Sequence, residues 1–244
     1  MRTRRLTSAA PCKRFDHVCG IPELKRHFPD AKTLASPAAA KVLDNPKIMA
    51  GFFDQDRQVA YPESQPSGGS ARRPSPPQRI AVDRTVKGGD RIGLKSGGDL
   101  ELIDAPGHSP CGLAAWLEKD RVLFVSDALG FQISEKIIFP VFFHAYRSYI
   151  DTIEHLAAYP ANVLAFPHGA IRRGQDVKTV FQRSLSAARD VREEIVAETG
   201  RGRDAAELKQ MLFNRFYQEK LRIYAPENIR LCVDLLVRRS LENR

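Results

Sequence analysis

Residues 100–112, LELIDAPGHSPCG, join a short strand pattern to a loop that carries a histidine. Apolar and polar residues alternate in LELID, as in a strand with one buried face, and the Pro and Gly that follow end the strand. A loop at a strand end holds its side chains on a fixed backbone, and functional residues are often found there. His108 is therefore the first candidate for a functional residue.

Further candidates also have side chains that can bind a metal ion and also follow a strand. Asp127 ends the apolar run VLFVSD, and His168 ends the run VLAFPH. Imidazole nitrogen and carboxylate oxygen are good Zn²⁺ ligands. One histidine in a Pro/Gly turn is more often an ordinary loop residue, but three metal-binding side chains at three strand ends predict a metal site. Asp16 and His17, adjacent in DHVCGIPELK, add two ligands of the same chemistry.

The remaining chain alternates helical and strand patterns and predicts the α/β class. Apolar residues four apart predict a helix in IPELKRHFPDA, and Ser36 and Pro37 are the cap and first turn of another. From residue 80, apolar/polar alternation between Gly-rich turns predicts antiparallel hairpins. A helix is predicted in YRSYIDTIEHLAAYP, and three more after residue 174, the second over residues 204–221.

Composition sets broad limits on function. The chain has 244 residues, of which 43% are hydrophobic, and a formal net charge of +9. Residues 1–14 and 62–78 are rich in Arg, Pro, Ser and Gly without periodicity, which predicts a disordered start and a flexible loop. The basic residues form no stripe with aromatic residues, so no nucleic-acid partner is predicted. The sequence shows neither an apolar run of membrane-spanning length nor a secretory signal, so we expect a cytoplasmic protein without membrane contact.

The motifs DHVCGIPELK, APGHSPCG, VLFVSDALG and FPHG, in this order, resemble those of metallo-β-lactamase fold hydrolases. The resemblance implies an αββα sandwich over residues 15–173, with metals at one edge of the paired sheets, and a C-terminal helical region over residues 174–244. Fewer residues precede the first motif than in the family, which implies an incomplete first sheet. A truncated or frame-shifted start and a naturally divergent one are both consistent with this difference.

The resemblance also implies roles for the five candidates. Asp16, His17 and His168 match ligands of a second metal, Asp127 matches a bridging carboxylate, and His108 matches a ligand of a first metal. Asp16 and Asp127 are the implied catalytic residues, and Asp127 would orient a water molecule and accept its proton. The implied cofactor is zinc, as one or two ions, with iron or manganese as alternatives.

The chain departs from the family motif at the first metal. That motif is H-x-H-x-D-H, whereas this chain has Cys12 and Arg14 in place of the first two histidines. A cysteine thiolate can bind a metal ion, but an arginine has no lone pair to donate. We therefore expect at most one well-held metal.

The implied function is that of a metal-dependent hydrolase acting on a small ester, thioester or lactone. The alternative is a catalytically impaired or truncated relative with at most one metal and little activity. His144, in the aromatic segment PVFFHAYRSY, is a candidate substrate contact. The C-terminal helices carry apolar stripes, and we expect them to cover a sheet or to support a homodimer.

Overall fold

A computed structural model of the chain describes residues 15–60, 77–95, 97–168 and 171–242. The α/β class predicted from the sequence is confirmed. The chain divides into two compact units, the first ending at Thr85 and the second beginning at Val86. The predicted disordered start at residues 1–14 and most of the predicted loop at 62–78 lie outside the described residues.

The first unit is mainly helical. Its elements are α1 (Phe15–Val18), α2 (Ile21–His27), β1 (Leu34–Ala35), α3 (Pro37–Leu43), α4 (Pro46–Ala60) and β2 (Arg84–Thr85). Strands β1 and β2 pair in parallel, and α1 packs on α4. The predicted helix cap is confirmed, because Ser36 Oγ accepts a hydrogen bond of 3.3 Å from the amide of Ala39.

The second unit contains a six-stranded sheet. The strands of the second unit are β3 (Arg91–Gly93), β4 (Asp99–Asp104), β5 (Leu113–Leu117), β6 (Val122–Phe124), β7 (Phe131–Gln132), β8 (Ile138–Phe139), β9 (Val163–Ala165) and β10 (Ile171–Arg173). The large sheet has the order β10-β9-β6-β5-β4-β3, and β7 pairs with β8 in a separate antiparallel ribbon. Antiparallel hairpins predicted after residue 80 are confirmed by the pairs β3–β4 and β5–β6.

Strand direction brings the candidate ligands to one edge of this sheet. Strands β4 and β6 are both antiparallel to β5, and β6 is parallel to β9, so β4, β6 and β9 run the same way. Their C-terminal ends are nearly level in the register of the sheet. The loops that follow them carry His108, Asp127 and His168, and they all leave from the same edge.

Helices follow and flank the strands of the second unit. They are α5 (Tyr146–Ala157), α6 (Gln175–Gly200), α7 (Ala205–Phe216) and α8 (Pro226–Leu241). Tyr149, Ile153 and Leu156 form a buried face of α5. Helix α6 packs on α5 and α8, and α7 packs on α8. Among the helices in the described ranges, none combines the length and apolar character that a bilayer crossing requires.

The helix predicted over residues 204–221 is shorter than expected. Helix α7 ends at Phe216, and a 3₁₀ turn spans Glu219–Ile223. Tyr217 leaves the helical conformation with ψ of 71°, its ring stacks on Phe213 at 4.8 Å, and its hydroxyl donates to the carbonyl of Tyr224 at 3.0 Å. These contacts of Tyr217 compete with continuation of the helix. They could not be predicted from the sequence, because the residues that follow Tyr217 still favour a helix.

Candidate metal centre

The loop that carries His108 is fixed to helix α5. Gly107 has φ of +118°, and a Cβ atom at this position would lie 2.3 Å from Tyr149 Cα. Only glycine tolerates both this backbone conformation and this approach. Thr152 Oγ1 donates a 2.7 Å hydrogen bond to the carbonyl of Pro106. The position of the His108 backbone is therefore set by packing against the helix.

His108 presents its Nε2 atom to a carboxylate. Its Nδ1 atom lies 2.8 Å from the carbonyl oxygen of Val141. Because a carbonyl oxygen accepts only, Nδ1 carries the hydrogen, and Nε2 is the ring nitrogen that could bind a cation. Nε2 lies 3.4 Å from Asp127 Oδ2, and the His108 side chain is only 11% exposed. The ring of Phe143 packs against the imidazole with 5.2 Å between centroids.

Asp127 lies in the turn that follows strand β6. The preceding Ser126 has a positive φ of 50°, and the amide of Val125 donates a 3.1 Å hydrogen bond to the carbonyl of Ala165 on β9. The turn is thereby tied to the strand that leads to His168. His168 Nε2 lies 3.4 Å from Asp127 Oδ1, and the Asp127 side chain is 11% exposed.

His168 follows strand β9 and is packed against an aromatic ring. The centroid of its imidazole lies 5.0 Å from that of Phe131, on β7. Phe131 in turn contacts Tyr224 edge-on at 6.1 Å. Both histidines therefore rest on a phenylalanine, which limits the orientations that their rings can adopt.

The spacing around Asp127 fits metal coordination better than hydrogen bonding. N–H···O hydrogen bonds are usually about 2.7–3.2 Å long, and the two imidazole–carboxylate distances are longer. Two ligand atoms on a tetrahedral cation with bonds of about 2.0–2.1 Å are separated by about 3.3–3.4 Å. The observed separations are both 3.4 Å. Each histidine approaches a different oxygen, so the Asp127 carboxylate lies between the two imidazoles.

Asp16 and His17 lie on α1 in the first unit. The Asp16 side chain is exposed, and His17 is half-buried. Burial and the carboxylates of Asp56 and Asp16 raise the pKa of Cys19 to about 12. The Cys19 thiol therefore stays protonated at neutral pH, which is unfavourable for a metal ligand. Cys12 and Arg14 lie outside the described residues.

His144, the candidate substrate contact, follows Phe143. Its side chain is exposed, and its amide donates a 3.0 Å hydrogen bond to the carbonyl of Gly107. Partial desolvation and the positive charge of Arg239 lower the pKa of the His144 imidazole. The role of His144 as a substrate contact stays a prediction.

Some residues around the histidines were not predicted from the sequence. The Val141 carbonyl, the Phe131 ring and the Arg239 side chain each contact or support this region. A backbone carbonyl has no sequence signature, and Phe131 and Arg239 do not belong to the motifs that identify the ligands. Phe143 lies in the aromatic segment noted above, but its contact with His108 depends on tertiary packing.

Comparison with known proteins supports the relation suggested by the motifs. The profile of the Metallo-beta-lactamase superfamily matches residues 15–168. An archaeal metallo-beta-lactamase superfamily protein from Sulfolobus tokodaii aligns with a TM-score of 0.51 and 18% identity, over 92% of this chain and 75% of that chain. A metallo-beta-lactamase family protein from Thermus thermophilus aligns with a TM-score of 0.52 and 17% identity, over 87% and 68%. The chain belongs to the metallo-beta-lactamase superfamily.

Proposed function

We propose that this chain is a metal-dependent hydrolase whose centre is built around Asp127. The observation that carries the proposal is the position of the Asp127 carboxylate, with one oxygen 3.4 Å from His108 and the other 3.4 Å from His168. Asp16 and His17 are proposed as further ligands. Their support is the match of the family profile, which begins at residue 15, and the metal-binding chemistry of their side chains.

The donor set fits zinc. Imidazole nitrogens and carboxylate oxygens are zinc ligands, and iron and manganese accept the same donors. A divalent cation bound here would supply Lewis acidity and would lower the pKa of a coordinated water towards neutrality. Because Cys12 and Arg14 replace two histidines of the family motif, we propose a single ion.

The protein residues would contribute orientation and proton transfer. The Val141 carbonyl holds the hydrogen of His108 on Nδ1, so the lone pair of Nε2 is available to a cation. The carboxylate of Asp127 would accept a proton from the attacking water. Its low exposure strengthens its interaction with any charge in the centre, because little solvent screens it.

The proposed substrate is a small ester, thioester or lactone, with His144 at its edge. Each of these has a carbonyl carbon that water can attack and an oxygen on which negative charge develops. Support for this substrate class comes from the hydrolytic chemistry that a centre of this kind favours. Within the class, the fold does not select one substrate, because loops around a site decide specificity.

Substitution of Asp127 tests the proposed function. The full chain and the variants Asp127→Asn and Asp120→Asn are titrated with Co²⁺, whose visible bands report coordination, and are assayed for hydrolysis of p-nitrophenyl acetate. Asp120 is the control, an exposed carboxylate in the turn between β5 and β6. We expect Asp127→Asn to weaken Co²⁺ binding by more than about 100-fold, because loss of a ligand exceeds the usual effect of a residue behind the ligands.

The outcomes separate the two functions considered. Co²⁺ binding with ester hydrolysis, both lost in Asp127→Asn and kept in Asp120→Asn, supports the hydrolase. Co²⁺ binding without hydrolysis assigns the chain to the catalytically impaired alternative. Unchanged Co²⁺ affinity in Asp127→Asn contradicts the proposed centre.

A further inference from the structure

Residues 141–145 hold His108 from one side. The Val141 carbonyl lies 2.8 Å from Nδ1 of His108, and the Phe143 ring packs on the imidazole at 5.2 Å. The amides of residues 144 and 145 both donate to the carbonyl of Gly107, at 3.0 and 3.1 Å. The orientation of the imidazole therefore depends on where this segment lies.

Arg239 fastens the same segment to helix α8. Its Nε atom donates a 3.2 Å hydrogen bond to the carbonyl of Phe143, and its guanidinium also pairs with Glu242. The side chain is 19% exposed, whereas that of the neighbouring Arg238 is 55% exposed. A guanidinium withdrawn from water is stable only where its N–H groups find acceptors. Its bond to the backbone of Phe143 meets that requirement.

We propose that Arg239 is a positioning residue for His108. By fixing the Phe143 backbone, it holds the Val141 carbonyl where that carbonyl accepts the Nδ1 hydrogen of the imidazole, and so fixes the orientation of the ring. In that orientation Nε2 faces the Asp127 carboxylate. The consequence for metal binding rests on the proposed function, but the effect on His108 itself does not need a metal.

The Nδ1–H group of His108 in the metal-free full chain tests this directly. Long-range ¹H–¹⁵N NMR assigns the Nδ1–H signal, which is protected from exchange with water while the hydrogen bond to the Val141 carbonyl holds. Wild-type protein is expected to show this protected signal, and Arg239→Met is expected to lose it through exchange. Arg238→Met is the matched control, because that arginine forms an exposed pair with Asp234 on the same helix. A protected Nδ1–H signal like that of wild type in Arg239→Met overturns the proposal.

Co²⁺ affinity gives the second readout. We expect Arg239→Met to weaken Co²⁺ binding about tenfold, which is near the lower limit for residues that orient a metal-binding histidine. Arg239→Lys should bind Co²⁺ more tightly than Arg239→Met but less tightly than wild type. A wild-type chain that binds no Co²⁺ contradicts the proposed function, and the Nδ1–H measurement still decides on Arg239. If Arg239→Met fails to fold, Arg239→Gln, with a shorter polar side chain, takes its place. Loss of the protected Nδ1–H signal there supports the proposal, and a signal like that of wild type overturns it.

Discussion

Gly107 and Gly51 are two glycines with opposite structural demands. Gly107 has a left-handed φ of +118° and lies so close to α5 that a Cβ atom would overlap the backbone of Tyr149. Gly51 lies inside α4, and beyond its chain neighbours and the adjacent helix backbone no heavy atom lies within 4 Å of the place where its Cβ would be. The backbone of His108 depends on the first glycine, whereas the second is a weak point in a helix.

Alanine at these two positions should therefore act in opposite directions. We expect Gly107→Ala to lower the free energy of unfolding by about 3 kcal/mol or more, because strain and overlap combine. Gly51→Ala should raise it by about 0.5–1 kcal/mol, because alanine favours the helical state. Urea unfolding followed by circular dichroism measures both. A Gly107→Ala variant as stable as wild type would show that the loop before His108 is not held as described.

Residue type together with position at a strand end indicated the candidate ligands of the metal centre. His108, Asp127 and His168 were chosen because each follows a strand, and the structure places both imidazoles beside the Asp127 carboxylate. Their supporting groups could not be chosen in this way. The group on Val141 is a backbone carbonyl, and Arg239 contacts Phe143 from a position 96 residues further along the chain.

At the scale of elements, periodicity predicted the longer helices and strands, whereas very short elements could not be predicted from it. Strands β7 and β8 have two residues each, which is too short for alternation to be visible. Helix α4 was not predicted, although Asn45 and Pro46 give a start signal. The Asn45 side chain accepts hydrogen bonds from the amides of Lys47 and Ile48 at 3.0 and 3.3 Å.

An ion pair joins helices α7 and α8 and gives their packing a pH dependence. Lys209 hydrogen-bonds to Asp234, and Arg238 lies 3.1 Å from the same carboxylate. These cations lower the pKa of Asp234 in the folded state. The pair therefore contributes stability above the ordinary carboxyl pKa of about 3.9, and this contribution is lost as the pH falls through the lower folded-state value.

Removal of the Asp234 charge should have a small effect that disappears in acid. We expect Asp234→Asn to lower the free energy of unfolding at pH 7 by about 0.5–1 kcal/mol, since the pair is partly exposed. The difference from wild type should shrink below about pH 4. Urea unfolding across pH, with the exposed Asp30→Asn as the control, measures this. A difference that stays constant down to acid pH would show that the carboxylate charge is not the cause.

For the whole molecule, family membership was accessible from four short motifs, and the α/β class from alternating helical and strand patterns. The two structural relatives share only 17–18% identity with the chain, so the fold is retained with few identical residues. Packing of α6, α7 and α8 could not be predicted from helix patterns, because these show that an apolar face exists but not what it contacts. The division at Thr85 likewise depends on contacts and carries no marker in the sequence.

The account depends most on a cation binding beside Asp127, and anomalous diffraction at the zinc edge tests this most directly. Crystals of the full chain grown with Zn²⁺ should show an anomalous peak about 2.0–2.2 Å from an oxygen of Asp127 and about 2.0–2.1 Å from Nε2 of an adjacent histidine, His108 or His168. Zinc bound only elsewhere, or an Asp127 carboxylate bonded directly to the imidazoles with no peak beside it, would contradict the account.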